Sequence, residues 1–360
     1  MIDIANRFVK SNYTVRLITG SLNVGSDLLD KSAKITKICS YNRSSLVTRI
    51  LTGLLGFIQI IYLLILRGGK GRWLVVSNPP FSMLLPLLTK RKVELIVFDL
   101  YPDLLIGLKI FSSRSLVLRI WSWLNKCAYN RAERVITISN SMKNEIQKYC
   151  IQKRIEMIPL WPDFNYNGIL CKSENPFLVK NKLQGKFIVM YSGNMGISHS
   201  LNVIFDIAKI VLNTNVHFVL IGKGSERERL KKRILQENIT NIQILPFEDS
   251  SELRFSLSAA DIAIISQQSG ISGFCFPSKL FRFLAVGAAL LCITDENTEL
   301  REFTELYSLG NSFSIDQVEE IANFIAELSS DDSKLAKFKK NAFKTSKLFN
   351  KEYLTPLYVQ

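Results

Sequence analysis

The 360-residue sequence has little of the chemistry that holds metal ions or crosslinks secreted domains. It contains only two histidines, and its six cysteines show no paired spacing. It also has no Asp-x-Asp pair of the kind that holds a divalent cation. These absences argue against a disulfide framework and against a metal site, and they favour a reducing, cytoplasmic setting.

Negative charge is scarce in the first half of the chain. Residues 1–170 contain 24 Lys and Arg against 10 Asp and Glu, whereas residues 171–360 contain 22 against 21. An excess of this kind indicates an anionic partner such as a membrane surface, a phosphorylated lipid headgroup or a nucleic acid, with a merely solvated basic surface as the alternative. Because no aromatic stacking platform or base-reading motif accompanies the charge, we expect no nucleic-acid partner.

Long hydrophobic runs are limited to one uncharged stretch of 17 residues, "ILTGLLGFIQIIYLLIL", at positions 50–66. As a helix it would be about 26 Å long, which is shorter than the roughly 30 Å hydrocarbon core of a bilayer. We therefore expect a helix that lies on the first domain and touches the membrane interface. An ordinary buried helix and a true membrane span are the alternatives.

Short β-branched runs alternate with helical patterns in both halves, which predicts parallel sheets with crossover helices. The stretch "IPLWPDFNYNG", at positions 158–168, has the composition of an interdomain linker. The predicted organisation is an N-terminal domain over 1–165, a C-terminal domain over 166–345, and a last helix over 346–360 that returns to the first domain. Ligands of such domains bind at the carboxyl ends of the strands.

The stretch "PSKLFRFLAVG", which begins at Pro277, predicts a helix that starts in an anion site. Proline suits a first helical turn, since it has no N–H to leave unsatisfied. Ser278 and Lys279 add a hydroxyl and a positive charge to the amide groups at this end. Arg282 lies on the same arc as these two side chains, while the intervening apolar residues point toward a core. A pyrophosphate is the ligand expected here, and a capped helix with incidental charges is the alternative.

Three glycine-containing turns each follow a strand of the second domain: "YSGNMGISH", "GKGSER" and "SGISGF". Glycine lets backbone amides approach a phosphate closely, and the strand–turn–helix context strengthens an otherwise weak signal. A solvated turn is an equal alternative for the second of them. The candidates for donor binding in these turns are Gly193, Asn194, Gly196, Lys223, Ser272 and Gly273.

Catalytic candidates come from both halves. His199 is placed to donate a hydrogen bond from a helix start, with a core or capping role as the alternative, whereas His217 fits a packed strand position. In "FDLYPDLL", Asp99 ends a strand and Asp103 lies one turn later. A carboxylate there would position or deprotonate an acceptor hydroxyl, and an Asx cap on the next helix is the alternative. Together with Lys279, these residues are the catalytic candidates.

Six motifs, in order and spacing, resemble one enzyme family: "DLYPD", "RAERVITISNSMKNEI", "IEMIPLWPD", "YSGNMG", "LSAADIAIIS" and "PSKLFRFLAVG". The chain resembles the retaining glycosyltransferases of family four, particularly the bacterial O-antigen and capsule enzymes. The resemblance implies the α/β GT-B fold, with two doubly wound Rossmann-like domains facing a central cleft. It implies a nucleotide-sugar in the second domain and an acceptor in the first, often a lipid-linked glycan at the cytoplasmic membrane face.

The same resemblance implies a metal-independent, front-face mechanism in which the leaving phosphate takes the acceptor proton, so that no cofactor is expected. Many members of the family carry two glutamates separated by seven residues, the second of which binds the nucleotide ribose. Phe274 and Arg282 stand at those positions here, and Ala289 replaces a usual proline. Ribose and sugar contacts therefore do not carry over to this sequence by analogy.

The chain opens with an apparent helix followed by the strand "VRLIT", whereas family members normally begin one strand earlier. That earlier strand lies in the middle of its sheet, so we expect "VRLIT" and a second strand to have unpaired edges. The expectation is that the functional protein starts upstream of Met1 or that this form is truncated and poorly active. Alternatives to transferase activity are an inactive GT-B scaffold and a nucleotide-sugar epimerase of the same fold.

Overall fold

The chain folds into two units in a computed structural model. The structure describes residues 1–21, 28–42, 46–66, 71–150, 155–162, 170–196, 200–212, 214–249 and 251–360. Unit 1 consists of Met1–Pro159, Gly273–Phe276 and Lys351–Gln360, and unit 2 of Leu160–Ser272 and Pro277–Asn350. The sequence places the domain boundaries after residues 165 and 345, and the structure places them after residues 159 and 350. The short segment Gly273–Phe276 belongs to unit 1, although its neighbours in sequence belong to unit 2.

Unit 1 combines parallel strands with helices, as the alternating sequence pattern predicts. Its first five helices are α1 (Ile2–Lys10), α2 (Leu46–Leu66), α3 (Asp103–Gly107), α4 (Leu116–Arg131) and α5 (Asn140–Tyr149), and Pro80–Leu88 forms a 3-10 helix. Its strands are β1 (Arg16–Thr19), β2 (Lys34–Lys37), β3 (Trp73–Val76), β4 (Val93–Val97), β5 (Arg134–Thr137) and β6 (Ile155–Met157). Strand β4 is buried along its whole length, as expected for the interior of a parallel sheet.

The strands of unit 1 form two separate parallel sheets. One contains β1 and β2, and the other has the order β3-β4-β5-β6. Among the described residues, no strand pairs with the free edge of β1 or with that of β3. Unpaired edges are what the sequence predicts for "VRLIT" and a second strand.

The uncharged stretch at 50–66 is helical and forms most of α2. Many of its large apolar side chains are exposed, so the alternative of an ordinary buried helix is wrong. Within the described part of the chain, no helix combines the length and apolarity needed to cross a membrane.

Unit 2 is built on one six-stranded parallel sheet of order β12-β11-β10-β7-β8-β9. These strands are β7 (Phe187–Ser192), β8 (Val216–Ile221), β9 (Ile242–Leu245), β10 (Ile262–Ser266), β11 (Ala289–Ile293) and β12 (Gly310–Phe313). The helices are α6 (Pro176–Lys180), α7 (Val203–Ile210), α8 (Arg227–Gln236), α9 (Leu253–Ser258), α10 (Lys279–Ala285), α11 (Glu299–Leu306), α12 (Val318–Ser330) and α13 (Asp332–Ser346), and the last helix, α14 (Lys351–Leu354), lies in unit 1.

The order of the strands reverses between β7 and β10. From β7 the chain adds β8 and β9 on one side and then returns to add β10, β11 and β12 on the other. A doubly wound sheet of this kind leaves a crevice at the carboxyl ends of the two central strands, and ligands of open α/β sheets bind there. The topology therefore directs attention to the residues that follow β7 and β10.

A buried carboxylate joins three segments at the amino ends of β7 and β10. Asp261, just before β10, accepts a hydrogen bond from the backbone N–H of Ile188 at 2.9 Å and is 4% exposed. Its carboxylate also pairs with Lys172 and, at 3.4 Å, with Lys339. Because a buried charge is stable only when it is paired and hydrogen-bonded, these contacts fix the two lysine-bearing segments to the sheet.

We predict that Asp261→Ala lowers the free energy of unfolding by about 3 to 5 kcal/mol, because it leaves buried donors without their acceptor. Urea denaturation measures the change. Glu327→Ala is the matched control, since it removes an exposed ion pair with Lys334 from the same unit. It should cost less than about 1 kcal/mol. Equal losses in the two variants would contradict the role given to Asp261.

Candidate functional site

The two turns that follow β7 and β8 are joined backbone to backbone. The N–H of Gly193 donates to the carbonyl of Ile221 at 2.9 Å, and the N–H of Met195 donates to that of Lys223 at 2.8 Å. A Cβ atom on Gly222 would lie 1.9 Å from the carbonyl oxygen of Gly193. Glycine at 222 is therefore required by the close approach of the two turns, whatever ligand they hold.

Helix α10 starts two residues later than the sequence predicts. Its first residue is Lys279, and Ser278 is the capping residue, so Pro277 precedes the helix rather than occupying its first turn. The N–H of Leu280 donates to the carbonyl of Pro277 at 3.2 Å, which closes a turn before the helix. With seven residues, α10 is too short for its terminus alone to define an anion site. The predicted core side of the helix is confirmed, because Leu280, Phe281 and Leu284 are buried.

The Lys279 side chain reaches the carboxyl end of β7. Its Nζ atom lies 3.9 Å from the centre of the Tyr191 ring, within the range of a cation–π interaction. A Cβ atom on Gly193 would lie 3.4 Å from the same nitrogen. The primary amine is thus held beside the first glycine turn, at the point where the strand order reverses.

Tyr191 is a member of this site that the sequence analysis missed. Its hydroxyl donates to the carbonyl oxygen of Asn194 at 2.6 Å, which ties the end of β7 to the turn that follows. Burial raises the pKa of Tyr191, so the phenol keeps its proton and remains a donor. The sequence signal for this residue is its position just before the glycine turn in "YSGNMG", where the last side chain of a strand can contact the turn that follows.

The other donor-binding candidates divide between the units. In unit 2, Asn194 and Lys223 are exposed in the two glycine turns, and the Lys223 Nζ atom lies 6.0 Å from the centre of the Phe247 ring. Gly196 and Arg282 are half-buried there, and Ser272 is the last residue before the chain enters unit 1.

Gly273 belongs to unit 1, where it packs against α5. A Cβ atom on Gly273 would lie 2.8 Å from the Cγ atom of Glu145. Next to it, the carbonyl of Phe274 accepts a hydrogen bond from the N–H of Leu100 at 2.8 Å. The structure therefore groups Gly273 with the segment after β4 rather than with the glycine turns of unit 2.

The two aspartates predicted as catalytic follow β4 in unit 1. The backbone N–H of Asp99 donates to the Oγ atom of Ser77 at 3.2 Å, and the backbone of Asp99 forms an antiparallel bridge with Cys275. Asp103 begins α3, and its carboxylate accepts a hydrogen bond of 2.6 Å from the Tyr149 hydroxyl. The Asx-cap alternative is wrong for this helix, because its N-cap is Pro102, without a side-chain cap among the described residues.

Burial raises the pKa of Asp103, with the hydrogen bond from Tyr149 acting in the opposite direction. The same environment raises the pKa of Tyr149, chiefly by burial and then by the nearby carboxylate. Of the two histidines, His199 lies outside the described residues. His217 lies within β8, where burial lowers its pKa, in agreement with a packed strand residue.

Comparison with known proteins finds a family match for the part of the chain that contains Lys279 and the glycine turns. Residues 173–345 match the family of glycosyl transferases group 1. The model covers a little under half of the chain and nearly all of unit 2.

Two curated relatives are named as glycosyltransferases. WbjE of Pseudomonas aeruginosa is 22% identical over 250 residues, which cover 68% of this chain and 62% of that protein. WcaI of Escherichia coli K12, named for colanic acid biosynthesis, is 26% identical over 234 residues, which cover 63% of this chain and 57% of that protein. The matches thus span about three-fifths of each relative's length.

Solved structures show that the fold is GT-B. HepE of Anabaena in complex with UDP superposes with a TM-score of 0.72 at 15% identity, covering 99% of this chain and 93% of that one. The sucrose-phosphate synthase of Thermosynechococcus elongatus gives a TM-score of 0.77 at 13% identity, covering 99% and 90%. At such identities the likeness concerns the fold alone, and it confirms the predicted pair of Rossmann-like domains.

We predict that Gly222→Ala destabilises unit 2 far more than Gly185→Ala. Both glycines have positive φ, +158° and +70°, but a Cβ atom on Gly185 meets nothing within 4 Å. The control should therefore cost only about 1 to 2 kcal/mol of backbone strain, whereas Gly222→Ala must also push two turns apart. Urea denaturation of both variants measures the difference. Similar costs would show that the turns are not in the close contact described.

We predict that the stability of Asp103→Asn, relative to that of wild type, increases as the pH rises. A carboxyl whose pKa is raised by folding favours the folded state below its unfolded pKa, and this contribution is lost as the pH rises through the folded pKa. Asparagine stays neutral at every pH, so the variant has no such pH-dependent loss of stability. Melting temperatures of both proteins between pH 4 and pH 7 test the sign. A difference that shrinks toward pH 7 would contradict it.

Proposed function

We propose that the protein transfers a sugar from a nucleotide-sugar donor to a saccharide acceptor in the biosynthesis of a surface polysaccharide of the O-antigen or capsule type. The observation that carries the proposal is the position of the Lys279 amine, over the Tyr191 ring and beside Gly193, within the stretch that matches the glycosyl transferases group 1. A uridine nucleotide is the donor class to test first, because HepE structures of the same fold contain UDP and UDP-glucose.

Positive side chains and backbone amides neutralise the donor pyrophosphate in this proposal. Lys279 contacts the phosphate that becomes the leaving group, and Lys223, Ser278 and Arg282 supply further donors. The turn containing Gly193, Asn194 and Gly196 supports this role, since two of its three positions lack a side chain that would hinder a phosphate. Fixed cations that stabilise the charge developing in the transition state are worth roughly two to three orders of magnitude in rate. We further propose that no divalent metal takes part.

The proposed reaction retains the configuration at the anomeric carbon. The bond from this carbon to the β-phosphate oxygen breaks, and a new bond to the acceptor oxygen forms on the same face of the sugar. The leaving phosphate takes the acceptor proton, so that no protein nucleophile is needed. Asp99 and Asp103 position the acceptor hydroxyl in this scheme, and His199 donates a hydrogen bond to the donor sugar.

The acceptor that we propose is a lipid-linked glycan at the cytoplasmic face of the membrane. The scarcity of acidic residues in the first half of the chain supports this choice, because an anionic lipid surface attracts the excess of Lys and Arg. The protein would then be peripheral, with unit 1 binding the acceptor and unit 2 the donor.

An epimerase and an inactive scaffold of the same fold are the competing functions, and one set of assays separates all three. The protein is incubated with UDP-, GDP- and dTDP-sugars, and nucleotide release, the identity of the remaining nucleotide-sugar and the melting temperature are measured. A transferase releases nucleotide as the sugar passes to water in place of the acceptor, and the released nucleotide stabilises the protein. An epimerase yields a second nucleotide-sugar without release, and an inactive scaffold gives no turnover at all.

We predict that Lys279→Ala lowers nucleotide release by about 10² to 10³-fold without unfolding the protein. The matched control is Lys231→Ala, a half-buried lysine of the same unit whose side-chain nitrogen lies 3.3 Å from the carboxylate of Glu228. It should leave turnover unchanged. Addition of EDTA to wild-type protein should also leave turnover unchanged. Near-normal turnover in Lys279→Ala would refute the assignment of the lysine, and an EDTA-dependent loss restored by Mg²⁺ would refute the metal-independent scheme.

A further inference from the structure

Helix α2 carries glycine on its inner face and large apolar side chains on its outer face. Gly53 and Gly56 are buried, and a Cβ atom on Gly53 would lie 3.5 Å from the Tyr41 ring. The exposed large side chains of the helix are Val47, Ile50, Leu51, Leu54, Leu55, Ile58, Tyr62 and Ile65. These eight fall within an arc of about 140° and extend over about 27 Å of helix. A surface helix of a soluble protein normally has the reverse arrangement.

A second helix of unit 1 also has an apolar outer face. Trp123 of α4 is 61% exposed, and Leu116 and Ile120, which lie on the same side of the helix, are 68% and 50% exposed. On the inner side, Trp121 stacks on Phe81 at 5.0 Å. Trp121 therefore packs inside unit 1, whereas Trp123 is exposed on its surface. Tryptophan is enriched at membrane–water interfaces, because its ring is apolar and its N–H is polar.

Both helices pack on the same 3-10 helix, Pro80–Leu88. Phe81 of this segment is the partner of Trp121, and Leu88 at its end is itself 50% exposed. The residue just before the segment, Pro79, lies 3.9 Å from the position of a Cβ atom on Gly53. The two apolar faces thus belong to one packed assembly within unit 1.

The segments that contain these faces have no acidic residue at all. Residues 31–93, which include α2, contain eleven Lys and Arg and no Asp or Glu, and residues 104–132, which include α4, contain five and none. On α4 itself, Arg119 and Lys126 are exposed and border the apolar arc. Protein interfaces are depleted in lysine, whereas a bilayer with anionic headgroups matches apolar side chains surrounded by basic ones.

We propose that the outer faces of α2 and α4 together form a docking surface for an anionic lipid bilayer. Both helices lie in the interface with their apolar side chains below the headgroups, while the flanking lysines and arginines contact the phosphates. The assignment deepens the membrane location proposed above by naming the residues that enter the bilayer. It does not depend on transferase activity.

The test measures flotation of the full chain with phosphatidylcholine vesicles, with and without phosphatidylglycerol, at low and high salt. Three double variants are compared with wild type: Ile58→Ser with Tyr62→Ser on α2, Ile120→Ser with Trp123→Ser on α4, and, as the control, Leu235→Ser with Leu306→Ser. The control removes two apolar side chains of unit 2 that are 78% and 76% exposed. Because all six residues are exposed, the variants should fold, and melting curves verify this.

We expect wild type and the control to bind phosphatidylglycerol vesicles equally and to lose binding as salt rises. The α2 and α4 variants should each bind at least about tenfold more weakly. Unchanged binding in the α4 variant, or an equal loss in the control, overturns the proposal. So does equal binding to neutral vesicles. A wild-type dimer in solution that both variants abolish, without vesicle binding, would instead assign these faces to a second copy of the chain. Nucleotide release measured without vesicles reports separately on the proposed enzyme activity.

Discussion

The close contact between the backbones of two turns is the constraint on which the site in unit 2 depends. Strands β7 and β8 run side by side, and their ladder continues beyond the strands through Gly193 and Met195. Since the carbonyl of Gly193 occupies the space where a side chain on Gly222 would be, the two turns can lie this close only with glycine at 222. Lys279 and Tyr191 contact the first of these turns, and in the proposed reaction a preorganised lysine would stabilise a phosphate without first being reoriented.

Much of unit 2 could be predicted because its parallel strands are buried on both faces. Runs such as "IAII" and "ALLCI" are apolar throughout, and glycine turns follow β7, β8 and β10, where a ligand crevice is expected. Strand β12 gives no such signal, since "GNSF" has neither a long apolar run nor β-branched residues. The start of α10 was predicted two residues early because proline is compatible with a first helical turn and equally with the turn before it.

Side-chain partners that are distant in sequence were beyond prediction. Nothing near Asp103 indicates that Tyr149, 46 positions later, donates to its carboxylate, and nothing near Asp261 indicates Lys172 or Lys339. Such pairs arise only when the sheet brings the elements together. The hydrophobic run of α2 was recognised as a helix, but its orientation depends on the packing of Tyr41 and Pro79 beside Gly53, which the composition of the run does not reveal.

Unit 1 is discontinuous in sequence, and this has a consequence for its synthesis on the ribosome. Its last segment, Lys351–Gln360, includes Tyr358, which is completely buried, and the carbonyl of Leu357, which accepts a hydrogen bond from Arg134 at 2.8 Å. Most of unit 1 is translated first, yet these contacts form only after the ribosome has translated all of unit 2. During translation the first unit therefore remains incompletely folded, and the apolar surface that Tyr358 covers stays exposed until residues 351–360 have been synthesised.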